Sequence, residues 1–553
     1  MQRIFLTGLS GSGKSTVGRE VARLLGWDCV DTDDLLAERT GLSVGQALLE
    51  YGEPGFRQLE SEILMAASGP ERVVIATGGG AVIAEANRNF MYEHGLVVYL
   101  NVSIETAWQR IQEHMHQDGM PVLRPLVAGA DGQPRLQGLY AARKQWYEQA
   151  TVHIDTNEYP PTIVAGQVVA CALSHGYLSS ASLPREIVTM HLGTITSRAV
   201  IEWGGLYSLP QTLQSLGFLQ RVFIVTDAEV GRLYSKPVQF MLEDAGFVPR
   251  IFTIPAGESS KSFPYFQQIL DWLVEHKAER QEPIIAMGGG VVGDLAGFVA
   301  ACYQRGVPLI QVPTSLLAQV DSAIGGKTGI NHPLGKNLIG AYHQPRLMMV
   351  DPAMLLTLPE RVYREGWAEI VKYGMVLDAE LFELLEAHAG SLQVRDATLL
   401  TAIVARCIRL KMGVVQLDEH DSGLRNILNY GHTFGHALEA LTDYGSWLHG
   451  EAVSIGMEVA ARIATARGLL SQEDALRQQK LLRALDLPLD CPGVDSGAAL
   501  AAMQRDKKVQ AGRMRWVLAT RVGHGEVYDD VPDLPVRDAL AAVCNTYQGR
   551  KAW

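Results

Sequence analysis

Short apolar runs that end in glycine recur along this chain, and each is followed by apolar positions at helical spacing, an alternation that predicts parallel α/β units. Arg3-Ile-Phe-Leu-Thr7 is strand-like and runs straight into Gly8-Leu-Ser-Gly11-Ser-Gly13-Lys14-Ser15; from Lys14 to Gly26 the residues Val17, Val21, Leu24 and Leu25 keep the spacing of a helix. Asp31-Thr-Asp33 ends a second strand-like segment, and Val73-Val-Ile-Ala-Thr-Gly78-Gly-Gly80 is a third strand that ends in glycines. Between Asn157 and Leu183 the pattern breaks. Pro160-Pro161, a helix-like Ile163 to Leu173, Ser179-Ser-Ala-Ser182 and Pro184 read as a tether, with a boundary near residue 180. A second series starts at Arg221, with strands at Val222–Thr226, Arg250–Ile254 and Pro283–Met287 separated by helices, and then Gly288-Gly-Gly-Val-Val-Gly293-Asp294. That order predicts a Rossmann-like sheet. After Asp351 the strand signals stop and helical periodicity dominates to about Gly468. The predicted divisions are an α/β domain over 1–175, a linker over 176–184, a second α/β domain over 185–350 and a mostly helical domain over 351–553.

Composition enlarges this picture without redirecting it. A chain of 553 residues, 47% apolar, can bury more than one core. The net charge of −12 is spread along the chain with no Lys/Arg tract or acidic tail, which points to small metabolites rather than nucleic acid or an anionic membrane. Six scattered cysteines without a C-x-x-C pair fit a reducing cytoplasm. No run reaches the roughly 18 apolar residues of a membrane span, and the first residues lack a signal-peptide pattern. The expectation is a soluble, unprocessed cytoplasmic protein.

The first glycine-rich loop carries the full eight-position phosphate-binding pattern between a strand and a helix. Backbone N–H groups and the helix N-terminus would surround nucleotide phosphates, Lys14 would reach the outer phosphates, and the Ser15 hydroxyl would ligate magnesium. The pattern specifies nucleotide but not acceptor. For the acceptor, Asp31 and Asp33 offer one carboxylate to the magnesium shell and one to a substrate hydroxyl, and Arg57, in Phe56-Arg57-x-x-Glu60, offers a fork for a carboxylate. Singly, Asp31 also reads as a helix cap and Arg57 as a surface ion pair. Together with Gly78-Gly-Gly80, Leu123-Arg124-Pro-Leu126 and Arg143-x-x-x-Tyr147, these features resemble shikimate kinase over residues 1 to about 175. The resemblance implies a small α/β kinase with a mobile lid. It implies ATP and Mg2+ at Gly11, Ser12, Gly13, Lys14, Ser15 and Thr16, with Asp31 joining Ser15 on the metal, Arg110 near the adenine and Arg124 on the lid. Shikimate would meet Asp33, Arg57, Gly79, Gly80 and Arg143. Sugar-acid kinases such as gluconate kinase open on a similar loop, and the Asp-Thr-Asp, Phe-Arg and Gly-Gly-Gly signals favour shikimate.

In the second series His432 and His436 stand four apart on a predicted helix and share a face, while His449 and Glu369 are candidates to complete a three-donor set with an open position, as a catalytic zinc requires. Spacing alone selects His432 with His436. The segments Pro255-Ala-Gly-Glu258-x-x-Lys261, Gly288 to Asp294, Val312-Pro-Thr-Ser315, Val320-Asp321 to Lys327, Glu365 to Lys372 and Asn429 to Glu439 together resemble 3-dehydroquinate synthase, from about residue 185 to near the C-terminus. The resemblance implies Glu369, His432 and His449 as ligands of Zn2+ (or Co2+), with His436 as an acid/base or phosphate-contacting residue. It implies NAD+ at Asp227, Glu258, Lys261, Gly290, Val291, Val292, Gly293, Asp294, Thr314, Ser315, Lys327 and Lys336. Arg305, Asp321, Lys327, Asn337, Lys372, Arg425, Asn429 and one of Lys507 and Lys508, Lys508 being chosen, would face a doubly anionic heptulosonate phosphate. NAD+ would be regenerated in each cycle as catalyst rather than co-substrate, and the fold would dimerise through this half.

The combined reading is a bifunctional enzyme of aromatic biosynthesis, a shikimate kinase followed by a 3-dehydroquinate synthase. Its alternatives are a gluconate-type kinase fused to another sugar phosphate cyclase, and a regulator on dead enzyme folds. The second alternative is opposed by the presence of Lys14, Asp33, Arg57, Lys327, Glu369, Lys372, His432, His436 and His449 together.

Overall fold

The computed structural model describes residues 2–117, 132–157, 159–175, 177–178, 185–218, 221–393, 395–421, 423–442, 446–505 and 514–544. Two compact units emerge: Met1–Leu183 with Tyr207–Thr212 and Leu233–Ala245, and Pro184–Leu206 with Leu213–Arg232 and Gly246–Trp553. Most of the predicted tether, and both Arg124 and Lys508, lie outside the described residues.

In the first unit the chain runs β1 (Arg3–Thr7), α1 (Lys14–Leu25), β2 (Asp28–Asp31), α2 (Thr32–Thr40), α3 (Val44–Ala67), β3 (Val73–Ala76), α4 (Glu85–His94), β4 (Leu96–Asn101), α5 (Ile104–Gln117), α6 (Gly132–Tyr147), β5 (Val152–Asp155) and α7 (Pro161–Ser174). Its sheet has the order β2-β3-β1-β4-β5 and is parallel throughout. Every β1 residue from Ile4 to Thr7 is buried, the continuous apolar run of a strand covered on both faces. Gly13 opens α1 and Gly26 closes it, both left-handed (φ 90° and 64°), a conformation that costs glycine nothing and other residues a steric clash. Because β1 is central, the loop it feeds into α1 emerges at the carboxyl edge of the sheet, where open α/β sheets bind ligands.

The second unit contains β6 (Arg185–Leu192), β7 (Ile195–Glu202), α8 (Leu209–Ser215), β8 (Arg221–Asp227), α9 (Ala228–Asp244), β9 (Val248–Ile254), α10 (Phe263–Glu275), β10 (Ile284–Gly288), α11 (Gly290–Cys302), β11 (Leu309–Pro313), β12 (Lys327–His332), β13 (Gly335–Tyr342) and β14 (Leu347–Val350), α8 and α9 straddling the division between units. The main sheet has the order β6-β7-β14-β11-β10-β8-β9, parallel except for the antiparallel edge pair β6–β7. The sequence pattern missed that edge pair, whose first strand buries only Met190. Phe223, Val225, Ile284, Ala286 and Leu309 from the sheet pack against Val292, Leu295, Ala296 and Val299 of α11; each large side chain so buried contributes roughly 1.5–3 kcal/mol. The helical continuation comprises α12 (Glu360–Val376), α13 (Ala379–Leu392), α14 (Ala397–Leu417), α15 (His432–Leu441), α16 (His449–Ala466), α17 (Gln472–Ala484), α18 (Ser496–Arg505), a hairpin β15–β16 (Trp516–Arg521, His524–Tyr528) and α19 (Asp533–Cys544). Scattered in sequence, Cys491 and Cys544 nonetheless bring their reduced sulfurs to 3.8 Å. Among the described residues no helix is long and apolar enough to cross a membrane.

Two candidate active sites

The first site collects at the carboxyl ends of β1, β2 and β3. Lys14 Nζ donates to the carbonyls of Gly8 (2.9 Å) and Leu9 (3.0 Å), folded over the loop it belongs to. Ser15 Oγ donates to Asp31 Oδ2 at 2.5 Å, while Asp31 Oδ1 accepts the Asp33 N–H and caps α2. Asp31 therefore serves as both the cap of α2 and the acceptor for the Ser15 hydroxyl. Gly11 is forced: its φ is +83°, and a Cβ there would lie 2.5 Å from the Ala107 carbonyl.

Behind the loop, Arg57 Nη1 pairs with Glu60 at 2.7 Å, and a Cβ on Gly80 would sit 2.2 Å from that same Nη1. Arg143 Nη1 and the Tyr147 hydroxyl both donate to the Gly79 carbonyl, at 3.1 and 2.6 Å. A Cβ on Gly78 would meet Glu60 Oε1 at 2.9 Å and Asp33 Oδ1 at 3.0 Å, so Asp33, Arg57, Gly79, Gly80 and Arg143 surround one glycine corner. Burial raises the Glu60 carboxyl, opposed by Arg57 and Arg143. Glu60 as the anchor of Arg57 and Tyr147 as a second donor to Gly79 were not assigned from sequence, although both lay inside the motifs quoted. Arg110 donates to Thr156, just past β5. Thr16 is exposed and Ser12 buried within the loop.

In the second unit, residues expected around a dinucleotide gather at the carboxyl ends of β8, β10 and β11. Asp227 Oδ1 accepts the N–H groups of Glu229 and Val230 at 3.0 Å. Gly288 ends β10 and Gly290 opens α11; a Cβ on Gly290 would come within 3.0 Å of Ser322 Oγ. Lys261 is buried between Asp294 and Asn337 Oδ1, the latter at 2.5 Å. Thr314 N–H donates to the Gly288 carbonyl and Ser315 Oγ accepts from Ala318. Val291 and Gly293 follow in the first turn, and the Val292 side chain belongs to the core, which leaves only its backbone to face a ligand. Glu258 Oε1 takes the Asn331 amide at 2.7 Å, and Lys336 Nζ stands 4.0 Å from it.

Glu369 of α12, His432 at the start of α15 and His449 at the start of α16 converge, with one donor atom from each within 4.8 Å of the others. Glu369 Oε1 lies 3.3 Å from His432 Nε2 and 3.5 Å from His449 Nε2. Geometry thus joins His449 to this set where spacing selected His436. The His436 ring stands alongside, 5.4 and 6.1 Å from the rings of His432 and His449. Burial opposes the charge on Glu369, but Lys372, His432 and His449 outweigh it and hold its carboxyl well below the usual range. Burial depresses His432 to about 3 against the pull of Glu369, which leaves a neutral imidazole.

Two buried lysines meet at Asp321, one of them also touching the donor set. Lys372, buried, contacts Glu369 and stands 3.8 Å from Asp321 Oδ1; Lys411 of α14, also buried, pairs with Asp321 Oδ1 at 2.7 Å. Burial lowers Lys411 to about 8 despite Asp321. The Tyr373 hydroxyl completes the group, 2.5 Å from Asp321 Oδ1. Arg425 is buried against the carbonyls of Gly325 and Glu419, and Asn429 reaches Asn426. Lys327 is half exposed and pairs with Asp421, while Arg305, exposed with φ 65° beyond α11, makes no ion pair with this cluster. Lys411 and Tyr373 were not assigned from sequence. With Arg406 and Arg409 close by on α14, nothing in the sequence set Lys411 apart.

A nucleotide-loop α/β unit joined to a Rossmann-like unit with a helical, metal-capable continuation defines a two-enzyme chain, a kinase and a lyase. Family models agree: shikimate kinase matches residues 10–172, 3-dehydroquinate synthase N-terminal matches 251–365, and 3-dehydroquinate synthase C-terminal matches 366–509. A 3-dehydroquinate synthase of Synechococcus is 48% identical over 328 residues, 59% of this chain and 89% of the relative. A solved 2-epi-5-epi-valiolone synthase from Streptomyces hygroscopicus, with NAD+ and Zn2+ bound, matches at 30% identity and TM-score 0.59 over 64% of this chain and 98% of its own. A 2-deoxy-scyllo-inosose synthase complexed with carbaglucose-6-phosphate, NAD+ and Co2+ matches at 26% and 0.60, over 65% and 100%. The chain belongs to the 3-dehydroquinate synthase family and carries a shikimate kinase domain ahead of it.

Proposed function

We propose that the first unit transfers phosphate from ATP to shikimate and that the second converts 3-deoxy-D-arabino-heptulosonate 7-phosphate to 3-dehydroquinate and inorganic phosphate. The convergence of Glu369, His432 and His449 beside buried Lys372, Lys411 and Arg425 carries this reading. One carboxylate and two imidazole Nε2 atoms, with His449 one-third exposed, suit a divalent metal with an open position. The glycines between β10 and α11 leave backbone N–H groups accessible to a pyrophosphate, which suits NAD+. When bound, NAD+ supplies a hydride acceptor and Zn2+ or Co2+ a Lewis acid.

The chain's own residues do the rest. Lys372, Lys411 and Arg425 attract and orient a substrate carrying both carboxylate and phosphate, and Asp321 holds both lysines in place. His436, beside the donor set yet outside it, moves the proton of a substrate hydroxyl. In the kinase unit, Arg57 and Arg143 grip the carboxylate of shikimate and Asp33 its hydroxyls, while Lys14, Ser15 and Asp31 collect phosphates and Mg2+.

The test is phosphate release from 3-deoxy-D-arabino-heptulosonate 7-phosphate with NAD+ and Zn2+, before and after chelation. Metal-dependent release without net NADH is expected, followed by ATP-dependent phosphorylation of shikimate. No release from folded, metal-loaded protein overturns the assignment. Similarity to the valiolone and inosose synthases supports a second reading, a different sugar phosphate, which the same assay separates.

A further inference from the structure

On α15 a third side chain shares the face of His432 and His436. Glu439 follows His436 by three residues and is buried, only 7% exposed. Its two oxygens face different partners: Oε2 lies 3.3 Å from His449 Nδ1, and Oε1 lies 3.5 Å from Lys336 Nζ on β13. His449 turns its other nitrogen, Nε2, toward Glu369. A neutral imidazole carries one proton; if Nδ1–H is donated to a carboxylate, the Nε2 lone pair is left for a metal. His432 meets the same requirement differently, with its Nδ1 3.1 Å from the Tyr430 carbonyl. One histidine is oriented by a neutral backbone acceptor and the other by a buried anion. Lys336 extends the second arrangement, standing between Glu439 and Glu258.

We propose that Glu439 is a positioning residue that holds the His449 imidazole with Nε2 directed at Glu369 and His432 and, through Lys336, ties that orientation to the β12–β13 hairpin. The inference rests on the metal reading of Glu369, His432 and His449. The carboxylate also enriches the imidazole it accepts from, which strengthens the bond His449 makes to a cation. His436, Glu439 and His449 also bring donor atoms within 4.8 Å of one another, so a ligand role for Glu439 is the competing outcome.

Full-length protein is compared with E439Q, E439D, H449A and the E439Q/H449A double variant. Zinc affinity is read by competition with a chromophoric chelator, stoichiometry by metal analysis, and coordination by the visible absorption of cobalt-substituted protein. E439Q is expected to bind one zinc per chain about 10–100-fold more weakly, with a shifted cobalt spectrum and partial recovery in E439D. In the H449A background E439Q adds little, because the histidine it positions is gone. Unchanged affinity and spectrum in E439Q overturn the proposal, as does full additivity with H449A. Two ions in the parent and one in E439Q also overturn it, by making Glu439 a ligand. Should E439Q not fold, E439D must still weaken zinc by about threefold or more, since it withdraws the carboxylate from Nδ1; no change there overturns the proposal equally. Failure of the metal reading shows separately, as absent zinc binding in the parent or indifference of its affinity to E369Q and H432A.

Discussion

The two units handle charge in opposite ways. In the kinase unit the two arginines of the glycine corner lean on backbone and on two carboxylates, one buried and one exposed: Arg143 on the Gly79 carbonyl, Arg57 on Glu60 and Glu53 with Gly80 against its guanidinium. In the synthase unit the charges face one another in the interior, Lys372 against Glu369 and Asp321, Lys411 against Asp321, His449 between Glu369 and Glu439. A site built on backbone is sensitive to shape, because one methyl group on Gly80 displaces the Arg57 guanidinium. A site built on buried ions is sensitive to charge, because removing one partner leaves the other uncompensated.

The largest effect separates the units outright. E369Q is expected to reduce the synthase reaction by about 10³-fold or more, several kcal/mol of lost charge stabilisation, and to leave the kinase rate within about twofold. K14A should do the reverse, reducing phosphoryl transfer by about 10²–10³-fold with the synthase unaffected. Paired assays on each purified variant check this. A variant that lowers both rates equally breaks the comparison.

K411M comes next and tests the buried network. Methionine fills much of the lysine's volume but, among the described residues, leaves Asp321 with Lys372 and Tyr373 to balance it. The expected cost is about 3 kcal/mol of stability in the synthase unit, visible in denaturant titration followed by a probe in that unit, with weaker substrate binding besides. Stability equal to the parent's would mean that the network tolerates an unmatched carboxylate and is not set by charge balance.

Local order was legible in the sequence and assembled order was only partly so. Strand, loop and helix around Lys14 follow one another within 23 residues, Arg3 to Leu25, and the observed elements fall where the pattern put them. The edge strand β6 escaped because it buries little, so its apolar positions do not stand out. His449 lies 13 residues beyond His436, and no helical periodicity relates it to His432; only the start of α16 folding back beside α15 brings it to Glu369, so family resemblance, not spacing, named it. Lys411 and Tyr373 escaped for another reason. Each reads from sequence as an ordinary helical position, and their role follows from Asp321, 90 and 52 residues away.

The smallest effects probe the kinase corner, where two adjacent glycines are predicted to differ. Gly80 has φ −99°, which any residue adopts, so alanine there carries no backbone strain. Its methyl group, however, would fall 2.2 Å from Arg57 Nη1, and the guanidinium, as the far end of a flexible chain, must give way rather than the fold. G80A should therefore keep its melting temperature while raising the KM for shikimate about 10-fold or more, the worth of one charge-assisted contact. At Gly79 the added methyl would meet the Gly8 carbonyl at 3.5 Å and Arg143 Nη1 at 3.7 Å, both ordinary contacts. G79A should stay within about twofold of the parent in KM and kcat. Equal behaviour of the two alanines would show that the space Gly80 leaves for Arg57 does not set shikimate binding. That outcome would remove the reason for contrasting a site governed by shape with one governed by charge.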